Sequence, residues 1–291
     1  DDPNTEEVHA YIGDSCGICA SCVKISKLIH PDVHFSYPAL KKDSKHDRVL
    51  STDYITEWRQ FIKLSPYNNV ADWINFLKEN SKIESAVNKQ GNITVFECDD
   101  ISHKLSLKAF ESSYKILIMW MPEFLGNSGN KLLKLIEEPP PDTLFIFVAE
   151  DESAILPTIL SRTQLVKIPV FSKIDIENEL VTQYQFLPEK AARIGALSTG
   201  NYREALHLLQ NSEEDLQGRV REWLNVILKN NSNAQIKWID EISQIGREKQ
   251  KQFLKYFIHL IEQAIRVQYL KKESLDSIPD NERDFAIRLN N

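Results

Sequence analysis

At 291 residues the chain is long enough for two or three domains, and its 42% hydrophobic and 26% charged content is that of an ordinary globular protein. A net charge of −7 argues against a protein that grips nucleic acid by itself, because phosphate neutralisation drives such binding and favours a basic surface. No apolar run nears the roughly 20 residues that a membrane span requires, and the opening DDPNTEEVHAYIG lacks the basic and apolar blocks of a signal peptide, so the expectation is a cytoplasmic protein without membrane contact.

In chain order, the first feature is a cysteine cluster, Cys16-Gly17-Ile18-Cys19-Ala20-Ser21-Cys22. Helix and loop follow to about Ser85, with Trp58, Phe61, Trp73, Ile74 and Leu77 at near-helical spacings. Asn92 to Cys98 (NITVFEC) is predicted as a short β-rich run and Ile101 to Phe110 as a helix. Tyr114 to Trp120 (YKILIMW) is continuously apolar, as suits a strand buried on both faces. Asn127 to Glu138 has a helical pattern and stops at Pro139, Pro140 and Pro141, where αR geometry cannot continue. Thr143 to Ala149 (TLFIFVA) is a second buried strand. Leu156 to Arg162 is a short helix with Pro157 near its start, and Leu165 to Ile168 is a candidate third strand. This alternation is the signature of a parallel α/β layer. Beyond Phe171 the pattern turns helical. Ile174–Gln185, Pro188–Ser198 and Arg203–Gln210 form three short helices, and from about Glu213 apolar stripes run through Trp223, Val226, Ile227, Phe253, Phe257, Leu260, Ile261, Ala264 and Val267. The predicted domains are residues 1–171 (α/β, with the cysteine knuckle), 172–211 (a small helical domain) and 212–291 (a larger helical domain).

The thiols of Cys16, Cys19 and Cys22 fall at i, i+3 and i+6. A C-x-x-C turn lets two thiolates reach one ion, and in a cytosolic chain this clustering favours metal over disulfides. Tetrahedral zinc takes four N or S ligands at about 2.0–2.3 Å, and three are evident. His9, His30 and His34 are of the right type for the fourth, and Cys98 is remote in sequence. No H-E-x-x-H or deaminase-like His-x-Glu motif accompanies the cluster, so a structural zinc is expected over a catalytic one. The alternative is three thiols without metal.

Several segments taken in order resemble one family. They are CGICASC, HPDVHF (His30 to Phe35), KLLKLIEEPP (Lys131 to Pro140), TLFIFVAED (Thr143 to Asp151), ILPTILSRT (Ile155 to Thr163) and GNYREAL (Gly200 to Leu206). Together they resemble the bacterial DNA polymerase III clamp-loader subunits, over about residues 8 to 210. The resemblance implies an α/β fold of the AAA+ type, a parallel-sheet ATPase-like domain with a small helical lid and a C-terminal helical collar. It implies that Ser161-Arg162-Thr163 stands where the family has Ser-Arg-Cys, so that Arg162 is an arginine finger for the ATP site next door. A planar, permanently charged fork suits that task. Arg203 falls at the family's sensor 2 position, which faces nucleotide in active members. A helix start beside the Gly200 turn accounts for the same residues without nucleotide. The implied partners are the gamma/tau and delta subunits, the sliding clamp and, through the complex, primer–template DNA.

The same resemblance implies that this chain does not hydrolyse ATP. A phosphate loop ending in Gly-Lys-Ser/Thr occurs nowhere among its residues, which include only nine glycines. The family places that loop between His9-Ala10-Tyr11 and the cysteines, where only a few residues stand. So large a loss points to a segment missing between Tyr11 and Cys16, which in the family also holds the first cysteine, the fourth zinc ligand. Independently, the strand YKILIMW ends in Trp120-Met121-Pro122-Glu123 where the family has Asp-Glu. Neither Trp120 nor Met121 can bind Mg²⁺, which prefers oxygen. ATP is therefore not expected as a cofactor, and a non-catalytic delta-prime-type subunit of the polymerase holoenzyme is the expectation. The alternatives are an ATP-hydrolysing gamma/tau-type subunit and a zinc-stabilised scaffold outside replication.

Overall fold

The computed structural model describes residues 15–41, 48–81, 91–210, 216–228, 231–269 and 280–289. The chain forms two compact units, Asp1–Lys167 and Ile168–Asn291.

The first unit is mixed α/β. Helix α1 (Ala20–Ser26) follows the cysteine turn, and strand β1 (Val33–Ser36) follows it. A 3₁₀ turn (Ser51–Tyr54) leads into α2 (Ile55–Leu64), and α3 (Val70–Asn80) is started by Asn69, whose side chain accepts from the Asp72 N–H. Next come α4 (Val95–Ser106), β2 (Lys115–Trp120), an eleven-residue 3₁₀ segment (Pro122–Leu132), α5 (Leu133–Glu137), β3 (Thr143–Val148), a short 3₁₀ turn (Glu152–Ala154) and α6 (Pro157–Leu160). The three strands form one parallel sheet in the order β1-β2-β3, with Val33 opposite Ile116 and Ile116 opposite Leu144.

Two cores flank this sheet. On one, Tyr37, Trp58, Phe61, Trp73 and Leu77 bury the apolar faces of α2 and α3. Tyr37 stacks on Trp58 at 4.0 Å between ring centroids, and the Trp73 indole N–H donates to the Pro38 carbonyl at 2.7 Å, so its one polar atom is satisfied. The other core joins α4, β2 and α6 through Cys98, Ile101, Leu105, Leu117, Met119, Ile155 and Ile159.

Three local expectations change. The run NITVFEC is not a strand: Asn92 makes one isolated antiparallel bridge to Ala39, and Thr94 then caps α4 by accepting from the Glu97 N–H. The cap and the helical spacing of buried Glu97, Cys98, Ile101 and Leu105 override the β preference of Thr-Val-Phe. Leu165–Ile168 pairs with no strand among the described residues, and Leu165, Val166 and Ile168 are exposed. Strand β1, by contrast, went unread, because Val-His-Phe-Ser offers only two apolar residues and its pairing with β2 is a tertiary matter. The segment 127–138 is 3₁₀ helix to Leu132 and α-helix only from Leu133, after a non-helical break at Gly126.

The second unit is helical, with α7 (Lys173–Thr182), α8 (Pro188–Ser198), α9 (Tyr202–Gln210), α10 (Leu216–Leu228), α11 (Ser232–Gln244), α12 (Arg247–Tyr269) and α13 (Asp280–Leu289). One core runs through it, from Ile176, Leu180 and Ala191 to Phe253, Tyr256 and Leu260. Trp223 contributes edge contacts to Phe253 and Phe257 at 5.7 and 4.7 Å. Gly200 has a φ of +83°, and a Cβ there would lie 2.6 Å from the Phe171 carbonyl oxygen, so the turn before α9 requires glycine on both counts.

Candidate functional site

The cysteine cluster is built by a turn and a helix start. Gly17 takes a φ of +72°, and Cys19 caps α1, its sulfur accepting from the Cys22 N–H at 3.5 Å. The Cys16 sulfur accepts from the Cys19 N–H at 3.4 Å and lies 3.7 Å from the Cys22 sulfur. All three thiol sulfurs sit within 4.8 Å of one another, close enough to share an ion. Hydrogen bonds from backbone N–H, Cys19 first, hold the Cys16 thiol down at about 7, while its neighbours, Cys19 first, push Cys22 up. The donor set thus suits a soft divalent ion such as zinc, for which a thiolate must be supplied.

No fourth ligand joins the three among the described residues. Cys98 is in the core against the Ser128 carbonyl, its thiol pushed up to about 12 by burial. His30 is buried: its Nδ1 accepts from the Asp32 N–H at 3.2 Å and its Nε2 lies 3.4 Å from Glu111. His34 is on β1, held below the ordinary histidine value by burial and then by Lys104. His9 and the segment between Tyr11 and Cys16 lie outside the described residues, apart from Ser15.

The segment His30-Pro31-Asp32 has a structural task that the sequence did not reveal. The Asp32 carboxylate accepts from the N–H groups of Phe110, Glu111 and Ser112 at 2.6, 2.9 and 2.9 Å. Burial pushes this carboxyl up, but the three N–H groups outweigh burial and leave it below the ordinary range. Glu111 in turn pairs with Lys24 on α1.

At the carboxyl end of β2 the side chains are turned inward. Trp120 is 8% exposed and Met121 4%, and both join the aromatic core, with Trp120 at 5.2 Å from Trp58 and 6.1 Å from Phe61. Met121 has a left-handed φ of 57°, which turns the chain into the Pro122–Leu132 segment. Glu123 does not project as a lone carboxylate. Its Oε1 accepts from the N–H groups of Glu150 and Asp151 at 2.6 and 2.9 Å.

Arg162 lies just past α6 and is exposed. Its Nη1 donates to the Thr158 carbonyl at 2.9 Å and the Ser161 hydroxyl at 3.3 Å, and its Nη2 is 3.4 Å from Glu137. Beneath it Ile155 and Ile159 anchor the segment in the core. Arg203 is placed differently. It is 8% exposed in the first turn of α9, beside Glu204, which pairs with Lys255 at 3.1 Å. The structure brings the three cysteines together, keeps Arg162 on the surface of the same unit, and puts Arg203 inside the helical unit.

A parallel-sheet α/β unit followed by an all-helical unit, with a hydrophobic plug at one strand end, defines the class. The family model for "DNA polymerase III, delta subunit" matches residues 5–172, more than half of the chain. Among curated proteins, the DNA polymerase III subunit delta' of Bacillus subtilis is 32% identical over 114 residues, covering 39% of this chain and 34% of that one. The gamma/tau subunit of Mycobacterium bovis is 37% identical over 95 residues, 28% of this chain and 16% of that one. The gamma subunit of Buchnera aphidicola (from Schizaphis graminum) is 26% identical over 214 residues, 66% of this chain and 59% of that one. The chain therefore belongs to the DNA polymerase III delta-subunit family of clamp-loader proteins and is delta-prime-like within it. It spans only 34%, 16% and 59% of the length of these three relatives. Among the described residues no helix is long and apolar enough to cross a membrane.

Proposed function

We propose that this chain is a non-hydrolysing, delta-prime-type subunit of the clamp loader that presents Arg162 to an ATP bound by a neighbouring gamma/tau subunit. In this reading the complex, with a delta subunit, opens the sliding clamp and places it on primed DNA in the cytoplasm, and this chain supplies no hydrolysis of its own. The observation that carries the reading is the carboxyl end of β2. Trp120 and Met121 are packed into an aromatic core, so the position that would hold Mg²⁺ offers no oxygen ligand. Arg162 stands exposed on an anchored helix end, where a partner can reach it. Residues 172–211 would serve as lid and 212–291 as collar, and buried Arg203 would have no nucleotide to sense.

In the reconstituted complex, Arg162→Ala is expected to leave assembly intact and lower clamp- and DNA-stimulated ATP turnover. A finger removed in trans costs ~10³-fold or more at its own site, and less for a complex with further sites. Unchanged turnover would remove the role from Arg162. Turnover by the purified chain alone, lost on mutating Glu123, would favour the gamma/tau-type reading instead.

The three cysteines would hold a structural zinc, fixing the turn before α1. Metal analysis of the full-length protein is expected to give one zinc per chain, lost in Cys19→Ser. A chain purified metal-free with unchanged folding would sink this assignment.

A further inference from the structure

Glu123 binds the two amides that follow the sheet. The β ladder ends with the Met121 N–H donating to the Val148 carbonyl at 2.8 Å. Beyond it, the N–H groups of Glu150 and Asp151 have left the strand, and a single oxygen, Oε1 of Glu123, accepts both. Asp151 then starts the next turn, its Oδ1 accepting from the Ser153 N–H at 2.9 Å and from the Ser153 hydroxyl at 2.6 Å. That turn delivers Ile155 and Ile159 to the core and ends at Arg162, whose N–H donates to the Ile159 carbonyl at 3.0 Å. The far end of the segment that begins with Pro122-Glu123 closes on the same helix. A Cβ on Gly129 would lie 3.0 Å from Ile159 and 3.2 Å from Leu156. The arginine segment is thus held at its start by Glu123 and at its middle by the close approach of Gly129.

We infer that Glu123 is a positioning residue for Arg162: it fixes the loop from Glu150 to Ser153 and so sets where the guanidinium stands relative to a partner's nucleotide. This rests on the reading of Arg162 given above. The chemistry is that of a charge-assisted acceptor for two adjacent N–H groups, stronger than neutral bonds and short. It also gives a reason for a carboxylate just past a strand end that offers no second oxygen ligand: it serves a loop.

The test uses the full chain in the reconstituted complex and compares Glu123→Ala, Glu123→Gln, Arg162→Ala and the double variant Glu123→Ala/Arg162→Ala. A misplacement on the order of 1 Å costs about 10²-fold at a reacting centre, so Glu123→Ala is expected to lower kcat for ATP by up to about that factor at the one affected site, with KM unchanged. Glu123→Gln keeps an accepting oxygen but loses its charge, and is expected to fall between the parent and Glu123→Ala. The double variant is expected to turn over no more slowly than Arg162→Ala, because both changes disable the same group. Amide exchange at 150–162 is expected to quicken in Glu123→Ala and less so in Glu123→Gln. If Arg162→Ala slows turnover and Glu123→Ala does not, or if the two losses multiply, the inference about Glu123 falls and the reading of Arg162 stands. If Arg162→Ala is silent, the reading of Arg162 falls and takes this role with it. Unchanged exchange at 150–162 in Glu123→Ala overturns the anchoring itself.

Discussion

The carboxyl end of β2 and the end of α6 belong to one α/β unit, yet they are built on opposite plans. At the first, Trp120 and Met121 point into an aromatic core. At the second, Arg162 and Glu137 face solvent and only the apolar roots, Ile155 and Ile159, are buried. A sheet end that receives a nucleotide must leave polar groups and space; this one is filled by packing. A group that acts on another protein must be reachable, yet rigidly rooted. The contrast teaches that one unit can close a strand end with its core and still present a rooted charge on its surface.

The contrast breaks most decisively at Trp120. Trp120→Ala is expected to destabilise the chain by about 3–5 kcal/mol through the cavity left in the aromatic cluster, read by urea unfolding. Trp120→Asp should cost at least as much, since it buries a carboxylate among rings, and should yield no ATP turnover. Turnover from that variant would mean that the plug is cosmetic.

A subtler contrast is in the charges. Glu97 is 2% exposed and accepts from the N–H and hydroxyl of Ser51. Burial pushes its carboxyl above the ordinary range, outweighing the hydrogen bonds from Ser51 and the pull of Lys104. The folded state therefore favours the protonated form. That contribution is complete below the ordinary carboxylate value and is lost as pH rises through the raised folded value, so Glu97→Gln should gain on the parent in urea midpoints as pH rises above the ordinary carboxylate range. A difference that does not move with pH would contradict the assignment. The exposed pair should matter least. Glu137→Gln is expected to change stability by under ~1 kcal/mol, and neighbouring ATP turnover by less than about fivefold, because an exposed pair at 3.4 Å is screened by water and salt. A larger change would make Glu137 a partner in the task proposed for Arg162.

Much of this was legible in the sequence. YKILIMW and TLFIFVA are apolar without interruption, and both are strands of a parallel sheet. Pro188–Ser198 is a helix with the bounds that its proline and spacing predicted. The cysteine spacing foretold three thiols within reach of one ion. What was hidden depends on contacts across the chain. Nothing in Val-His-Phe-Ser marks a strand until β2 is beside it, and NITVFEC needed the Thr94 cap to become a helix. The polar anchors were the hardest to see. Asp32 and Glu123 each take backbone N–H groups from segments 78–80 and 27–28 residues away, and no local pattern encodes such a bond. The Pro31-Asp32 pair, a turn-forming dipeptide inside a motif, was the only local sign.

Helix α1 carries no buried residue. Among the described residues, it is tied to the rest of the unit by the Lys24–Glu111 pair and, just after it, by the Leu28 carbonyl accepting from Arg59 Nε at 2.9 Å. Seven residues held this way have little tertiary burial to keep them helical, and an isolated helix of that length is marginal in water. An ion held by the three thiols would then steady α1 locally, apart from the global melting of the sheet and its two cores. A protease cutting after Lys24 or Lys27 would register the state of the knuckle while the bulk of the unit stayed folded.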